Sequence, residues 1–120
     1  MKKKSRQPLA GIQLVDVIVA AAQEKLAENI TVIDLREAEA MADFFIICGG
    51  ETDVQNRAIG DAIIDNCAER GTKPWHFEGE TEGRWVLLDF SDVVVHIMLP
   101  SLRSFYNLES MWALGKRLDY

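Results

Sequence analysis

The sequence predicts an α/β domain built on a single mixed β-sheet flanked by helices. Three observations carry this reading. Helical and strand-like patterns interleave along the chain, in the order helix, strand, strand, helix, strand, strand, strand. Phe44–Cys48 (FFIIC) is apolar without interruption and runs into Gly49-Gly50, the pattern of a central strand covered on both faces. Arg84–Phe90 and Val93–Leu99 are separated only by Ser91-Asp92, which is the spacing of a tight hairpin.

Taken in order, residues 1–10 read as a flexible basic tail ending near Pro8, and residues 11–120 as one domain. From Ile12 to about Glu28, Leu14, Val15, Ile18, Ala21, Ala22 and Leu26 recur at helical spacing, with Asn29 as the expected stop. Thr31–Leu35 is a β-branched run and predicts a strand; 36–43 is a charged, alanine-rich loop or helical turn. After the FFIIC strand, Thr52 or Asp53 supplies a helix cap, and Val54, Ala58, Ala62 and Ile63 make the apolar stripe of a helix reaching Arg70. Gly71 and Pro74 end it. Trp75–Phe77 predicts a short strand and Glu78–Gly83 a turn. Pro100 closes the hairpin, and Ser101–Asn107 and Leu108–Leu114 predict short helical segments before a C-terminal tail.

The chain has 120 residues and a net charge of −6. Lys2, Lys3, Lys4 and Arg6 lie in an acid-free tail, so residues 11–120 hold 9 bases against 19 acids, a net of −10. Such a body repels phosphate backbones, and no direct specific binding of nucleic acid is expected of it. A basic partner protein fits better. Cys48 and Cys67 sit in apolar surroundings and read as reduced, buried thiols of a cytoplasmic protein. No run reaches the ~18 apolar residues of a membrane span.

Catalytic constellations find little footing. Gly49-Gly50 before a capped helix imitates an anion site, but no GxGxxG or GxxxxGK[ST] occurs, and Glu51 and Asp53 oppose an anion. Asp89, Asp92 and His96 suggest metal ligation, yet Asp92 and His96 stand four residues apart on a strand, about 13 Å and too far for one ion. Asp92 is expected as a turn residue and His96 as a hydrogen-bonded histidine between sheet and helix. No serine lies in a G-x-S-x-G elbow, and neither cysteine has a setting that would lower its pKa. The aromatics after Pro100, namely Phe105, Tyr106 and Trp112, either fold back on the sheet or cover a partner. A non-catalytic binding module without cofactor or metal is the class that remains.

Three ordered blocks then carry a family resemblance. Asp43–Gly50 with Asp53, Gln55 and Ala58-Ile59 is similar to a D-[YF]-F-[VI]-I-x-[ST]-G-x-S-x-x-Q-x-x-A-I stretch. Gly83–Phe90 with Asp92–His96 resembles G-x-W-x-x-x-D-[YF]-x-D-[VI]-[VI]-V-H. Arg103, Phe105-Tyr106, Leu108-Glu109 and Trp112 resemble R-x-[FY]-Y-x-L-E-x-x-W. These are blocks of the ribosomal silencing factor family, RsfS or Iojap, and the resemblance spans residues 12–114. The departures are small, with Gly50 near the usual Ser/Thr-Gly turn and Thr52 where serine is common.

The resemblance implies a nucleotidyltransferase-like fold without catalytic acids. It implies binding to ribosomal protein L fourteen on the large subunit, a block of subunit joining, repression of translation and a part in large-subunit biogenesis, with homodimers in the family. By the same resemblance Trp85, Asp89, Asp92, His96, Arg103, Tyr106, Glu109 and Trp112 are the expected partner-binding residues. Trp85 and Asp89 share one strand face. The alternative expectation is a nucleotide-binding protein or enzyme of nucleotidyltransferase type, using Asp89, Asp92 and the Gly49-Gly50 turn.

Overall fold

The computed structural model describes residues 8–120, apart from the side chains of Glu109, Met111 and Trp112. The expectations placed on Lys2–Arg6, and on the side chains of Glu109 and Trp112, lie outside the described residues.

The elements run α1 (Gly11–Glu24), β1 (Glu28–Asp34), β2 (Phe44–Gly49), α2 (Asp53–Glu69), β3 (His76–Glu78), β4 (Trp85–Asp89), β5 (Val93–Met98), α3 (Pro100–Tyr106), a 3-10 segment (Leu108–Leu114) and β6 (Lys116–Leu118). They form one six-stranded sheet in the order β3-β4-β5-β2-β1-β6. Only β2 and β5 pair in parallel, so the sheet is mixed, as expected.

Two elements differ from the sequence reading. Helix α1 stops at Glu24 because Leu26 takes a left-handed backbone (φ 62°), and the freed residues extend β1 back to Glu28 through an irregular step. The expected C-terminal tail instead contains β6, whose Lys116–Leu118 pair antiparallel with Asp34–Val32. A three-residue, doubly charged strand has no sequence period, and the open edge of β1 dictates it. Helix α2 matches its expected signals closely. The Thr52 hydroxyl accepts the Gln55 N–H at 3.0 Å, and Gly71 takes a positive φ of 81° just past the helix end.

The two sheet faces are covered unequally. Helices α1 and α2 lie on one face and bury Leu14, Ile18, Ile59 and Ile63 against Val32, Phe44, Ile46, Val86, Leu88, Val95 and Ile97. On the other face Ile33, Leu35, Phe45 and Ile47 form a smaller cluster, with Val94 and Leu108 packed on it. The 3-10 segment therefore helps to bury β1 and β2, which is why every residue of β2 is buried. It does not bury β4, where alternate residues Trp85, Leu87 and Asp89 stay partly exposed. That uneven cover creates the site.

Candidate functional site: an aromatic face beside helix α3

The open face is built by period-two alternation on β4 and β5. Val86 and Leu88 point to the helices, so Trp85, Leu87 and Asp89 point away from them; Val94 and His96 do the same on β5. The register sets Leu87 opposite His96 and Trp85 opposite Met98. From this frame the Trp85 indole N–H donates to Nδ1 of His96 at 2.8 Å. Indole is only a donor, so His96 accepts as a neutral imidazole with its proton on Nε2. Burial pushes the His96 pKa down to about 4.

Aromatic rings continue from this pair in both directions. Phe45 lies 4.7 Å from the His96 ring centre, Trp85 lies 4.9 Å from Tyr106, and Phe105 meets Tyr106 edge-on at 5.0 Å. These separations are those of favourable tilted and edge-to-face pairs. Phe45 is buried and Trp85 and His96 are half-buried, whereas Tyr106 is 51% and Phe105 79% exposed. Beside Trp85, Leu87 and His96 an open hollow of about 310 Å³ is bordered by Glu78 and Gly79. An apolar floor with the Glu78 carboxylate on its border is suited to a basic protein surface with an apolar centre.

The expected residues do not all converge. Trp85, His96 and Tyr106 form the ladder, and Asp89 shares their strand face. The Asp89 carboxylate is engaged by the Ser91 N–H at 2.8 Å. His96 is hydrogen-bonded, as expected, but on the face away from α1 and α2. Asp92 is turned elsewhere: its Oδ2 accepts the Gly11 N–H at 2.8 Å, tying the hairpin to the start of α1. Asp92 sits in the turn, as expected, and its contact with Gly11, which spans 81 residues in sequence, is set by the fold and not by strand alternation. Arg103 lies on the far flank of α3, where its Nη2 donates to the Thr31 hydroxyl at 3.0 Å. Leu87 belongs to the face but is not among the expected contacts, and alternation from Trp85 is the signal that points to it; Phe105, one of the aromatics expected either to fold back or to cover a partner, joins the face through Tyr106.

The geometry offers little to the nucleotidyltransferase alternative. Asp89 and Asp92 hold different backbone donors, and among the described residues no three His, Cys, Asp or Glu side chains gather as metal ligands. The Gly49-Gly50 turn is closed from within, because the Gly50 N–H donates to the buried Asn56 Oδ1 at 2.8 Å.

Comparison with known proteins agrees with the blocks read in the sequence. The family model for ribosomal silencing factor during starvation (RsfS) matches residues 8–120. The ribosomal silencing factor RsfS of Bacillus subtilis is 41% identical over 99 residues, covering 82% of this chain and 84% of that protein. A mouse protein named for mitochondrial assembly of the ribosomal large subunit is 27% identical over 103 residues, 83% of this chain but 45% of the longer mouse protein. A crystal structure from Bacillus halodurans superposes with a TM-score of 0.80 at 32% identity, covering 92% of this chain and all of that one. With a matching fold, a family match over residues 8–120 and relatives of this similarity, the chain belongs to the ribosomal silencing factor (RsfS/Iojap) family.

Proposed function

We propose that this protein is a non-catalytic, cytoplasmic factor that binds the large ribosomal subunit through ribosomal protein L fourteen. Seated there, it blocks docking of the small subunit and represses translation, and it serves large-subunit biogenesis. Family membership supports the ribosomal role, and the name of the mouse relative supports the link to large-subunit assembly. The observation that carries the contact assignment is the half-covered sheet face with its Trp85–Tyr106–Phe105 ladder, bordered by Glu78. Exposed aromatics over a packed floor are what interface centres use, and a net-acidic body suits a basic ribosomal protein. The same apolar face is available to a second copy in the free protein, and we assign the homodimer contact to it.

The test is co-sedimentation of the purified chain with large subunits, followed by addition of small subunits. The wild type travels with the large subunit and lowers the yield of joined ribosomes. Tyr106→Ala, at a half-exposed ring, weakens that binding about tenfold or more while shifting stability by less than about 1 kcal/mol. Trp85→Ala loses binding too, at a larger stability cost. If wild type stays at the top of the gradient, the ribosomal reading fails. If it sediments and Tyr106→Ala sediments equally well, the contact face lies elsewhere.

A further inference from the structure

The sheet ends differently at its two edges. On one side β6 carries Lys116 and Arg117, and charged side chains of this kind keep an edge strand from pairing with another chain. On the other side β3 carries an aromatic residue at its centre. All three residues of β3 are exposed, Phe77 at 47%, and Trp75 just before the strand is 72% exposed. Among the described residues no strand lies beyond β3. Alternate residues of an antiparallel strand turn their N–H and C=O groups toward the neighbour. So β3 uses one set on β4 and points the other out of the sheet.

Local structure keeps this edge open. The Trp75 N–H donates to the Asp89 carbonyl at 3.0 Å, which fastens the chain to β4 before the strand begins. After Glu78 the chain reverses at Gly79, where a positive φ of 80° and the nearby Trp85 carbonyl leave no room for a Cβ. The turn then closes on itself, the Gly83 N–H donating to the Gly79 carbonyl at 2.9 Å. Arg57 Nη1 donates to the Thr81 and Glu82 carbonyls at 3.3 and 3.4 Å. The turn is thus held against α2, and the β3 residues stay exposed. The two faces of β3 differ. Phe77 pairs in register with Leu88 and lies on the helix side; His76 and Glu78 pair with Asp89 and Leu87 and lie on the open side. There His76 Nε2 donates to the Glu78 carboxylate at 2.6 Å.

We propose that β3 takes up, as an added strand, a basic extended segment of the protein partner that covers the aromatic face. This rests on the ribosomal reading above and names how that partner is held. Charge and continuity select the occupant. Trp75–Gly83 contains Glu78, Glu80 and Glu82 and no lysine or arginine, so it attracts cationic side chains over a Debye length of about 8–10 Å. Glu78 belongs both to β3 and to the border of the hollow beside Trp85, so a segment paired with β3 runs along the edge of the contact face. In strand addition the main-chain bonds supply affinity and alternate side chains supply specificity. Here the segment places a lysine or arginine against Glu78 on the open side and an apolar residue against Phe77 on the helix side.

The test uses the full chain and isolated ribosomal protein L fourteen. Amide hydrogen exchange is followed by NMR, residue by residue, in the free chain and in the complex. Outward-facing amides of His76–Glu78 exchange fast in the free chain and become protected in the complex. Affinities are then compared. Phe77→Thr keeps strand propensity and changes a side chain on the far side from the aromatic face, and it binds about fivefold more weakly or worse. Glu78→Gln slows association and reduces its dependence on salt. Both changes are at exposed positions, and both variants melt near the wild-type temperature.

Suppose the complex forms and Tyr106→Ala weakens it, but the β3 amides gain no protection or Phe77→Thr binds like wild type. The contact is then confined to the open face, and strand addition is overturned while the ribosomal reading stands. Protection of the β3 amides in the chain alone, rising with its concentration, gives the edge to a second copy and also overturns the proposal. If the wild type binds neither L fourteen nor large subunits, the ribosomal reading falls and strand addition falls with it.

Discussion

The indole N–H of Trp85 donates to Nδ1 of His96 across the β4–β5 pair at 2.8 Å, and that bond exists only while the imidazole is neutral. Burial lowers the His96 pKa from 6.5 to about 4. Between those values the unfolded chain takes up a proton that the folded chain refuses. Stability therefore falls on acidification through this window and is level above it. The full effect is about 3 kcal/mol, at roughly 1.4 kcal/mol per unit. Urea melts at several pH values on wild type and His96→Phe isolate this contribution, because other titrating groups act on both. The wild type loses more stability than the variant between about pH 6.5 and 4.5. Parallel curves would show that His96 does not refuse the proton.

A second relationship holds the site's frame together from the helix side. Asn56 is fully buried, accepts the Gly50 N–H at 2.8 Å and donates to the Gly83 carbonyl at 2.9 Å. One side chain thus joins the end of β2 to the turn that launches β4. Asn56→Ala leaves a donor and an acceptor unmatched in the interior, at about 2–4 kcal/mol for the two together. Asn56→Asp keeps the acceptor, loses the donor and adds a buried charge, so it is no better tolerated. Denaturant melts check this. A loss below about 1 kcal/mol in Asn56→Ala would mean that water replaces the amide.

How much of this was legible in the sequence depended on how local each cause is. The β2 strand, the β4–β5 hairpin and the bounds of α2 are written in short patterns: a continuous apolar run, a two-residue turn, and Thr52 with Gly71 as caps. Alternation sets Trp85 and Asp89 on one strand face, but it does not say which face the helices cover, and His96, expected between sheet and helix, lies on the other one. The meeting of Tyr106 with Trp85 was not legible, because it depends on how α3 docks after Pro100. Neither was β6, nor the bond from Gly11 to Asp92, since both join residues distant in sequence.

The cysteines offer a test of packing. Cys48 and Cys67 are free and fully buried, and burial pushes both thiols up to about 12. A thiol must ionise and be reached by the reagent before it reacts. In native buffer near pH 8 a disulfide reagent therefore releases no prompt colour, and both thiols react at once in denaturing urea. Any slow native reaction is limited by opening of the fold and speeds up in Asn56→Ala. A fast native phase would place one thiol at the surface, contrary to the packing of Cys48 in β2 and Cys67 in α2.

Two glycines separate backbone necessity from historical accident. A Cβ on Gly49 would lie 1.9 Å from the Met98 carbonyl oxygen, where β2 ends beside β5. That neighbour is backbone in a paired strand and has no side-chain freedom with which to retreat. Gly49→Ala therefore pries the two strands apart, at about 3 kcal/mol or more, and disturbs the Met98–Trp85 pairing behind the aromatic face. Gly60 is the reverse case. It lies inside α2, and its added Cβ would meet Val86 Cγ1 at 3.5 Å and Ile97 Cδ1 at 3.7 Å, both ordinary contacts. Alanine there gains helix propensity, fills space against the sheet and restricts the unfolded chain. Gly60→Ala therefore stabilises the protein by about 0.5–1 kcal/mol. Paired urea melts give opposite signs for the two substitutions, and destabilisation by Gly60→Ala would mean that α2 sits closer to β4 than these distances state.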